Sequence, residues 1–232
     1  MTKLVTRPLS PASDLRDMPM YYPSEVARYL HLPPSTLRDW VDGRSGKSPA
    51  PAVIVRPDPR DTRLSFNNLV EAHVLRALRL EHKISMQAVR QALEDAQAEH
   101  GIERLLIDKR LTAAPGEMFI REYGRLMSLT KLNQLALEEI LQIFLRRLVW
   151  DVEGLPVRLY PFVAPGVPDD RRIITIDPRL SYGRPSLASK GISTAILAER
   201  VNAGEKIEEL ADYYGLDKQD VKEAILYEGR AA

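Results

Sequence analysis

The segment from residue 43 to residue 48, Gly-Arg-Ser-Gly-Lys-Ser, ends in the Gly-Lys-Ser triplet of a phosphate-binding loop. In such a loop, backbone N–H groups cradle phosphates while the lysine and the hydroxyl contact phosphate oxygens and Mg²⁺. The motif requires another glycine five residues before Gly46, where this chain has Val41. It also requires a helix directly afterwards, where Pro49 and Pro51 stand. The segment therefore does not predict a nucleotide site.

The usual catalytic and metal-binding residue types are scarce in this chain. It has four histidines and no cysteine, so disulfides, thiolate metal sites and cysteine nucleophiles are excluded. No two histidines have the i, i+4 spacing of a helical zinc-binding pair. His73 falls on the apolar face of a predicted helix, where we expect a core residue. We predict no enzyme, no cofactor, and no catalytic or metal-binding residue.

Charged side chains are the other residues that could bind a partner, and they are distributed unevenly along the chain. Lysine and arginine number 33 against 32 acidic residues, a formal net charge of +1. Residues 1–65 carry ten cations and seven acids, whereas residues 166–232 carry ten cations and twelve acids. Any nucleic-acid footprint must therefore be local. Because no apolar run is long enough to cross a bilayer and no secretory signal is recognisable, we expect a cytoplasmic protein without a membrane partner.

The pattern of elements predicts four parts and a mainly α fold with small β elements (α+β). Prolines interrupt residues 1–20, which we predict to be a flexible arm. Residues 21–99 are predicted to form a winged helix-turn-helix, here termed the head. Residues 100–165 are predicted to form an α+β middle or dimerisation region, and residues 166–232 a bundle of three to four helices that contains a second helix-turn-helix.

Two short helices begin the head. Apolar residues recur at helical spacing after Pro23, where Pro23-Ser24 offers a cap, and again after Pro34. Two such helices joined by a tight turn form a helix-turn-helix, whose second helix enters the DNA major groove. Arg38 is expected to project from that helix to a phosphate or to guanine; alternatively, the two helices only pack and Arg38 is solvated.

A long loop rich in proline and glycine follows over residues 43–63, around the β-branched run 53–55, and we predict a β-hairpin wing. Its cations are expected to track the phosphate backbone of a duplex. The complete set of predicted DNA-binding residues is Ser24, Ser35, Thr36, Arg38, Arg44, Lys47, Arg56, Arg60 and Arg63.

Helical periodicity returns from Phe66, and Ser85 is expected to cap a further helix. Short strands are predicted at residues 105–107, 118–120 and 173–176, with a hairpin around Glu153-Gly154. The apolar helix Leu132 to Leu148 is either a dimer interface or the core of the middle region. Three helices are predicted at the C-terminal end, namely residues 193–202, 206–214 and 218–228, with Gly204 and Gly215 ending the first two.

The head carries motifs of a known kind. Residues 22–30 are Tyr-x-Ser-Glu-Val-Ala-Arg-x-Leu, and residues 35–40 are Ser-Thr-Leu-Arg-Asp-Trp. Together with a wing that closes on Arg63-x-x-Phe66, these motifs resemble the MerR-type winged helix-turn-helix. The resemblance covers residues 21–96.

This resemblance implies that Arg38 meets the DNA backbone within a Leu-Arg-aromatic-aromatic block. Two positions depart from the family's pattern, since Asp39 replaces an aromatic residue and Pro33 stands where a hydroxyl cap is expected. The long helix that pairs MerR-type dimers has no counterpart here. A MerR-type regulator that responds to a small ligand is accordingly the alternative function, and Tyr123, Phe144, Trp150 and Tyr160 are its candidate pocket residues or else core residues.

The C-terminal part has a second set of motifs. Residues 177–187 are Asp-Pro-Arg-x-x-Tyr-Gly-Arg-Pro-Ser-Leu, followed by Gly-Ile-Ser-Thr at 191–194 and Ile-Glu-Glu-Leu-Ala at 207–211. These motifs resemble a small helix-turn-helix family of VapB-like antitoxins. The resemblance implies an antitoxin that inhibits a PIN-like ribonuclease toxin encoded by a neighbouring gene and that binds double-stranded operator DNA as a dimeric autorepressor.

Cations of this second helix-turn-helix are candidates for contact with DNA or with the toxin. An arginine such as Arg172 or Arg184 could reach the toxin's carboxylates by charge complementarity. The alternative is a helix bundle with a solvated face. The full candidate set is Arg184, Lys190, Lys218, Gln219 and Lys222.

Overall fold

The computed structural model describes residues 14–46, 49–81, 85–108, 142–162 and 171–230. Within these ranges the protein is mainly helical with two small antiparallel sheets, as predicted. Several predictions lie outside the described residues: Lys47, the strand at 118–120, Tyr123, and the helix from Leu132 up to residue 141. The α-helices are α1 (Pro23–Tyr29), α2 (Pro34–Val41), α3 (Phe66–Arg76), α4 (Met86–His100), α5 (Thr194–Asn202), α6 (Ile207–Tyr214) and α7 (Lys218–Arg230).

The predicted pair of short helices is confirmed as α1 and α2. Each begins with proline at its first position, where the missing N–H costs nothing. The predicted cap at Pro23-Ser24 is corrected by one residue, because Tyr22 is the N-cap and its N–H donates to Glu25 Oε2 at 2.8 Å. His31, with a left-handed φ of 49°, turns the chain between the helices. Leu37 and Trp40 then face the core.

The predicted wing is a loop pinned by isolated bridges. Arg44 and Ala50 exchange two backbone hydrogen bonds of 2.8 Å, and Tyr21 pairs with Leu64 at the base of the loop. The predicted β-hairpin is not formed at the β-branched run 53–55, which contains no strand. The N–H groups of residues 53 and 54 instead donate to the carbonyl of Trp40, where they satisfy the C-terminal end of α2.

The centre of the molecule is α3, which is buried along its whole length. Ser65 caps it and accepts a hydrogen bond from the N–H of Asn68 at 3.2 Å. Ser85 caps α4 in the same way, as predicted. The predicted strand at 105–107 is wrong, since these residues form a 3-10 helix whose three apolar side chains are all buried. A run buried on all sides lacks the alternation that distinguishes a strand.

The first sheet and residues 14–20 lie around this centre. The strands β1 (Leu148–Trp150) and β2 (Pro156–Leu159) form the predicted antiparallel hairpin. The predicted helix 132–148 therefore ends earlier than expected, because Leu148 already belongs to β1. In the segment assigned to the arm, Arg16 forms an ion pair with Asp151 at 2.5 Å, and Asp17 accepts from Asn67 Nδ2 at 2.8 Å.

His73 is a core residue. It is completely buried on α3, and its Nε2–H donates to the carbonyl of Phe144 at 3.1 Å. Its ring packs with those of Phe144 and Phe162 at centroid distances of 5.0 and 6.0 Å. Burial lowers the pKa of His73 to about 3, because the cluster cannot solvate an imidazolium ion.

The depressed pKa of His73 predicts acid sensitivity. Below the ordinary histidine pKa of about 6.5 the unfolded chain binds a proton that the folded chain does not, so stability falls as the pH drops and levels off near pH 3. This residue alone should lower the free energy of unfolding by about 2 kcal/mol between pH 7 and pH 5. Urea denaturation of His73→Phe should show a correspondingly smaller pH dependence; an unchanged pH dependence would contradict the assignment.

The C-terminal part starts with the strands β3 (Ile174–Thr175) and β4 (Ser186–Leu187), which pair antiparallel. β3 lies in the segment 173–176, where a strand was predicted, whereas no strand was predicted at the position of β4. The three predicted helices are confirmed as α5, α6 and α7. Gly215, with a left-handed φ of 62°, ends α6 as predicted.

The head and the C-terminal part are joined at α1. Tyr227 is fully buried on α7, and its hydroxyl donates to the carbonyl of Tyr29 at 2.8 Å. Beside it, Arg28 forms an ion pair with Glu228, and the ring of His31 packs edge-on against Tyr227 at 5.2 Å. The two helix pairs are therefore connected by a direct contact, the α1–α7 junction.

Candidate nucleic-acid interface

The outer face of α2 carries an exposed arginine. Leu37, Trp40 and Val41 are buried, so Arg38 points away from the core. Arg38 makes no side-chain hydrogen bond or ion pair within the part of the chain that the structure describes. Its guanidinium is thus available to a phosphate or to a base edge.

A cationic groove lies beside this helix. It has a volume of about 540 Å³ and is lined by Arg44, Arg79 and Arg90, with Glu94 at its margin. Burial lowers the pKa of Arg90, the charge of Arg44 lowers it further, and the charges of Asp39 and Glu94 oppose this. Asp39 belongs to α2, so the charge on the outer face of this helix acts on Arg90 in the groove.

Arg79 and Arg90 are additions to the predicted set. Arg90 occupies the polar face of α4, opposite the buried Val89, and its Nε–H donates to the carbonyl of Pro51 at 3.0 Å. That contact fixes the guanidinium against the loop that contains Arg44. The available sequence signal was only an arginine on the polar side of an amphipathic helix, which is shared with most surface helices.

Three other arginines of the wing, Arg56, Arg60 and Arg63, do not line this groove. Arg56 forms an ion pair with Asp42 at the C-terminal end of α2. Arg63 holds Asp61 at 2.7 Å and lowers the pKa of that carboxyl through a hydrogen bond. Arg60, whose side chain is 88% exposed, lies 3.4 Å from Asp58. These local ion pairs occupy three of the arginines predicted to track DNA.

The predicted hydroxyl contacts lie at helix starts. Ser24 is exposed in the first turn of α1, and Ser35 is exposed in the first turn of α2. Thr36 is half-buried, and its N–H donates to the carbonyl of Pro33 at 3.0 Å. Ser35 therefore lies on the same helix as Arg38, whereas Ser24 is on the preceding one.

The candidate residues of the second helix-turn-helix fall into two places. Lys218, Gln219 and Lys222 are exposed at neighbouring positions along α7, and the Gln219 side chain donates to Glu223 at 3.3 Å. Arg184 and Lys190 are exposed on the turns that flank β4. Arg172 is held elsewhere, since its Nη2 donates to the carbonyl of Arg146 at 2.9 Å.

The aromatic side chains considered for an effector pocket belong to packed structure where they are described. Phe144 and Tyr160 are buried, and Trp150 packs against the main core. Within the described ranges no group of His, Asp and Glu side chains is arranged to hold a metal ion. No helix among the same residues is long and apolar enough to cross a membrane.

Comparisons with known proteins agree with this architecture. Residues 174–227 match the family described as "Protein of unknown function (DUF433)", which covers β3 to α7. The chain has 24% identity to Rv2018 from Mycobacterium tuberculosis, whose crystal structure superposes with a TM-score of 0.69 over 90% of this chain and 98% of that one. At this identity the likeness concerns the fold.

Two curated proteins of Mycobacterium tuberculosis are similar over nearly the whole chain. One is "Putative antitoxin VapB45", 26% identical over an alignment of 235 positions, gaps included, that covers 90% of this chain and 93% of the relative. The other is "Uncharacterized protein Rv2308", 25% identical over an alignment of 226 positions, gaps included, that covers 93% of this chain and 92% of the relative. The chain is thus similar over most of its length to a protein whose name is that of a putative antitoxin. The MerR-like character of the head stays a prediction.

Proposed function

We propose that this protein is the antitoxin of a toxin–antitoxin pair, that it inhibits a PIN-like ribonuclease encoded by a neighbouring gene, and that it represses its own operator as a dimer. The observation that carries the proposal is the similarity to a protein named as an antitoxin over 90% of this chain. Similarity of that extent includes both helix-turn-helix pairs, α1–α2 in the head and α6–α7 in the C-terminal part.

The head is the proposed DNA-binding part. Arg38 is exposed and makes no ion pair among the residues that the structure describes, and its neighbour Asp39 acts electrostatically on Arg90 in the groove. An α-helix with one exposed arginine, flanked by further cations, has the chemistry for base contact combined with phosphate contact. Asp39 and Glu94 offset part of this charge, so the affinity for DNA is expected to depend on a few arginines.

The proposed experiment is co-expression of this chain with the product of the adjacent gene. We expect a complex that stays together during affinity purification and size-exclusion chromatography, and a ribonuclease that cleaves RNA alone but not within the complex. The neighbouring protein expressed without its partner serves as the control for activity. A neighbour unrelated to nucleases, or a nuclease whose activity is unaffected by this chain, would contradict the proposal.

A further inference from the structure

Exposed apolar side chains are concentrated where two distant segments meet. Ten large apolar side chains are exposed among the described residues, and five of them lie in residues 15–22 and 180–182. The segments touch at Gly183, because a Cβ on Gly183 would collide with Tyr21 Oη and Met20 Sδ. We term this surface the seam patch, and its apolar members are Leu15, Met18, Tyr22, Leu180 and Tyr182.

The backbone of the seam patch holds Tyr182 outward in an unfavourable conformation. Ser181 and Tyr182 have left-handed φ values of 48° and 54°, and Gly183 follows at 72°. Left-handed backbone costs free energy in residues with a Cβ and persists where the surroundings enforce it, often at binding sites. Here Ser181 Oγ–H donates to the carbonyl of Gly191 at 2.7 Å. The result is a tyrosine that is 91% exposed.

Arginines border the same surface. Asp177, whose side chain is 1% exposed, is shared by Arg158 and Arg179 at 3.2 and 3.1 Å, so one carboxylate faces two guanidinium groups. The charge of Arg16 also acts on Arg179. Arg184 adds an exposed cation that makes no ion pair among the described residues. Arg16 itself is paired with Asp14 and Asp151, so the excess of positive charge at the seam patch comes from Arg158, Arg179 and Arg184, which have the carboxylate of Asp177 among them.

We infer that the seam patch is the docking surface for a folded protein that presents carboxylates around an apolar socket. Tyrosine and arginine are the residues that most often dominate binding energy at protein interfaces. The apolar side chains of Met18 and Leu180 offer nothing to phosphates, which favours a protein over a nucleic acid. The inference rests on the proposed function, in which that protein is the ribonuclease toxin.

Tyr182→Asn tests the aromatic part of the seam patch. Asparagine tolerates left-handed backbone, so the turn is expected to survive while the ring is lost. The affinity for the co-purified ribonuclease, measured by calorimetry, should fall at least about thirtyfold. The matched control is Tyr213→Asn, which removes a tyrosine that is 73% exposed on α6, and it should leave the affinity within about twofold.

Arg184→Glu tests the charged border and does not depend on the left-handed turn. We expect the association rate to fall about tenfold at low salt and the difference to shrink as salt is added. Lys206→Glu is the control. Lys206 is an exposed cation directly before α6, and its replacement should leave the association rate unchanged. Thermal unfolding by circular dichroism checks that each variant is folded, and the Arg184 variant decides the matter if Tyr182→Asn does not fold.

The outcomes separate this inference from the proposed function. If the unsubstituted chain binds the ribonuclease and both variants bind it equally well, the seam patch is not the docking surface although the proposed function stands. If the unsubstituted chain captures no ribonuclease, both are overturned. If the variants keep the ribonuclease but lose binding to operator duplex, the surface contacts DNA and the inference is wrong.

Discussion

Arg38→Ala is expected to weaken binding to operator duplex by about 1–3 kcal/mol if the guanidinium makes a bidentate base contact. If Arg38 contacts only a phosphate, the dependence of the binding constant on salt should instead flatten by about one unit. The physical reason is that Arg38 is exposed on α2 and carries no internal ion pair among the described residues. Fluorescence anisotropy over a salt series, with a duplex from upstream of the gene, distinguishes the two contacts.

Lys222→Ala is the matched control for Arg38→Ala. Like Arg38, Lys222 is an exposed cation on the second helix of a helix-turn-helix, but that helix is α7 in the C-terminal part. If the head alone contacts DNA, removal of Lys222 leaves both the affinity and the salt dependence unchanged. A loss with Lys222→Ala and none with Arg38→Ala would transfer DNA binding to the C-terminal part.

Gly183→Ala is expected to lower the free energy of unfolding by about 2–5 kcal/mol. Left-handed backbone costs an L-residue about 1–2 kcal/mol, and overpacking adds about 1–3 kcal/mol. Both costs apply, because Gly183 has a φ of 72° and its Cβ would collide with Tyr21 and Met20. Urea denaturation followed by circular dichroism measures the loss.

Gly191→Ala separates the two costs. Gly191 has a similar φ of 69°, but a Cβ there would meet no atom within 4 Å. It should therefore lose only the backbone cost, about 1–2 kcal/mol. Equal losses in the two variants would mean that Gly183 does not lie against Tyr21, which would also remove the geometric basis of the seam patch.

Elements with local signals were predictable from the sequence. Pro34 begins α2, Ser85 caps α4, and Gly215 ends α6, since each effect depends only on residues within one or two helical turns. The hairpin at Glu153-Gly154 was predictable for the same reason. Arg38 could be assigned to the outer face because Leu37 and Trp40 define the inner one.

Features that depend on distant residues were not predictable. The run at 105–107 forms a buried 3-10 helix, and a short run that is apolar throughout has no periodicity by which the sequence could distinguish a helix from a strand. Arg90 becomes part of a cationic groove only because the loop at Pro51 folds onto α4. Likewise, ion pairs with Asp42 and Asp61 engage Arg56 and Arg63, and charge counts alone do not reveal such pairing.

The hydrogen bond between Tyr227 and Tyr29 joins residues 198 positions apart in the chain. During translation, α1 emerges from the ribosome long before α7 has been made, so the side of α1 that Tyr227 covers stays open until α7 follows. A chain that ends before α7 would leave this side of the first helix exposed to solvent and accessible to chaperones. The exposed side of α1 is therefore closed only after the helix that carries Tyr227 has been synthesised.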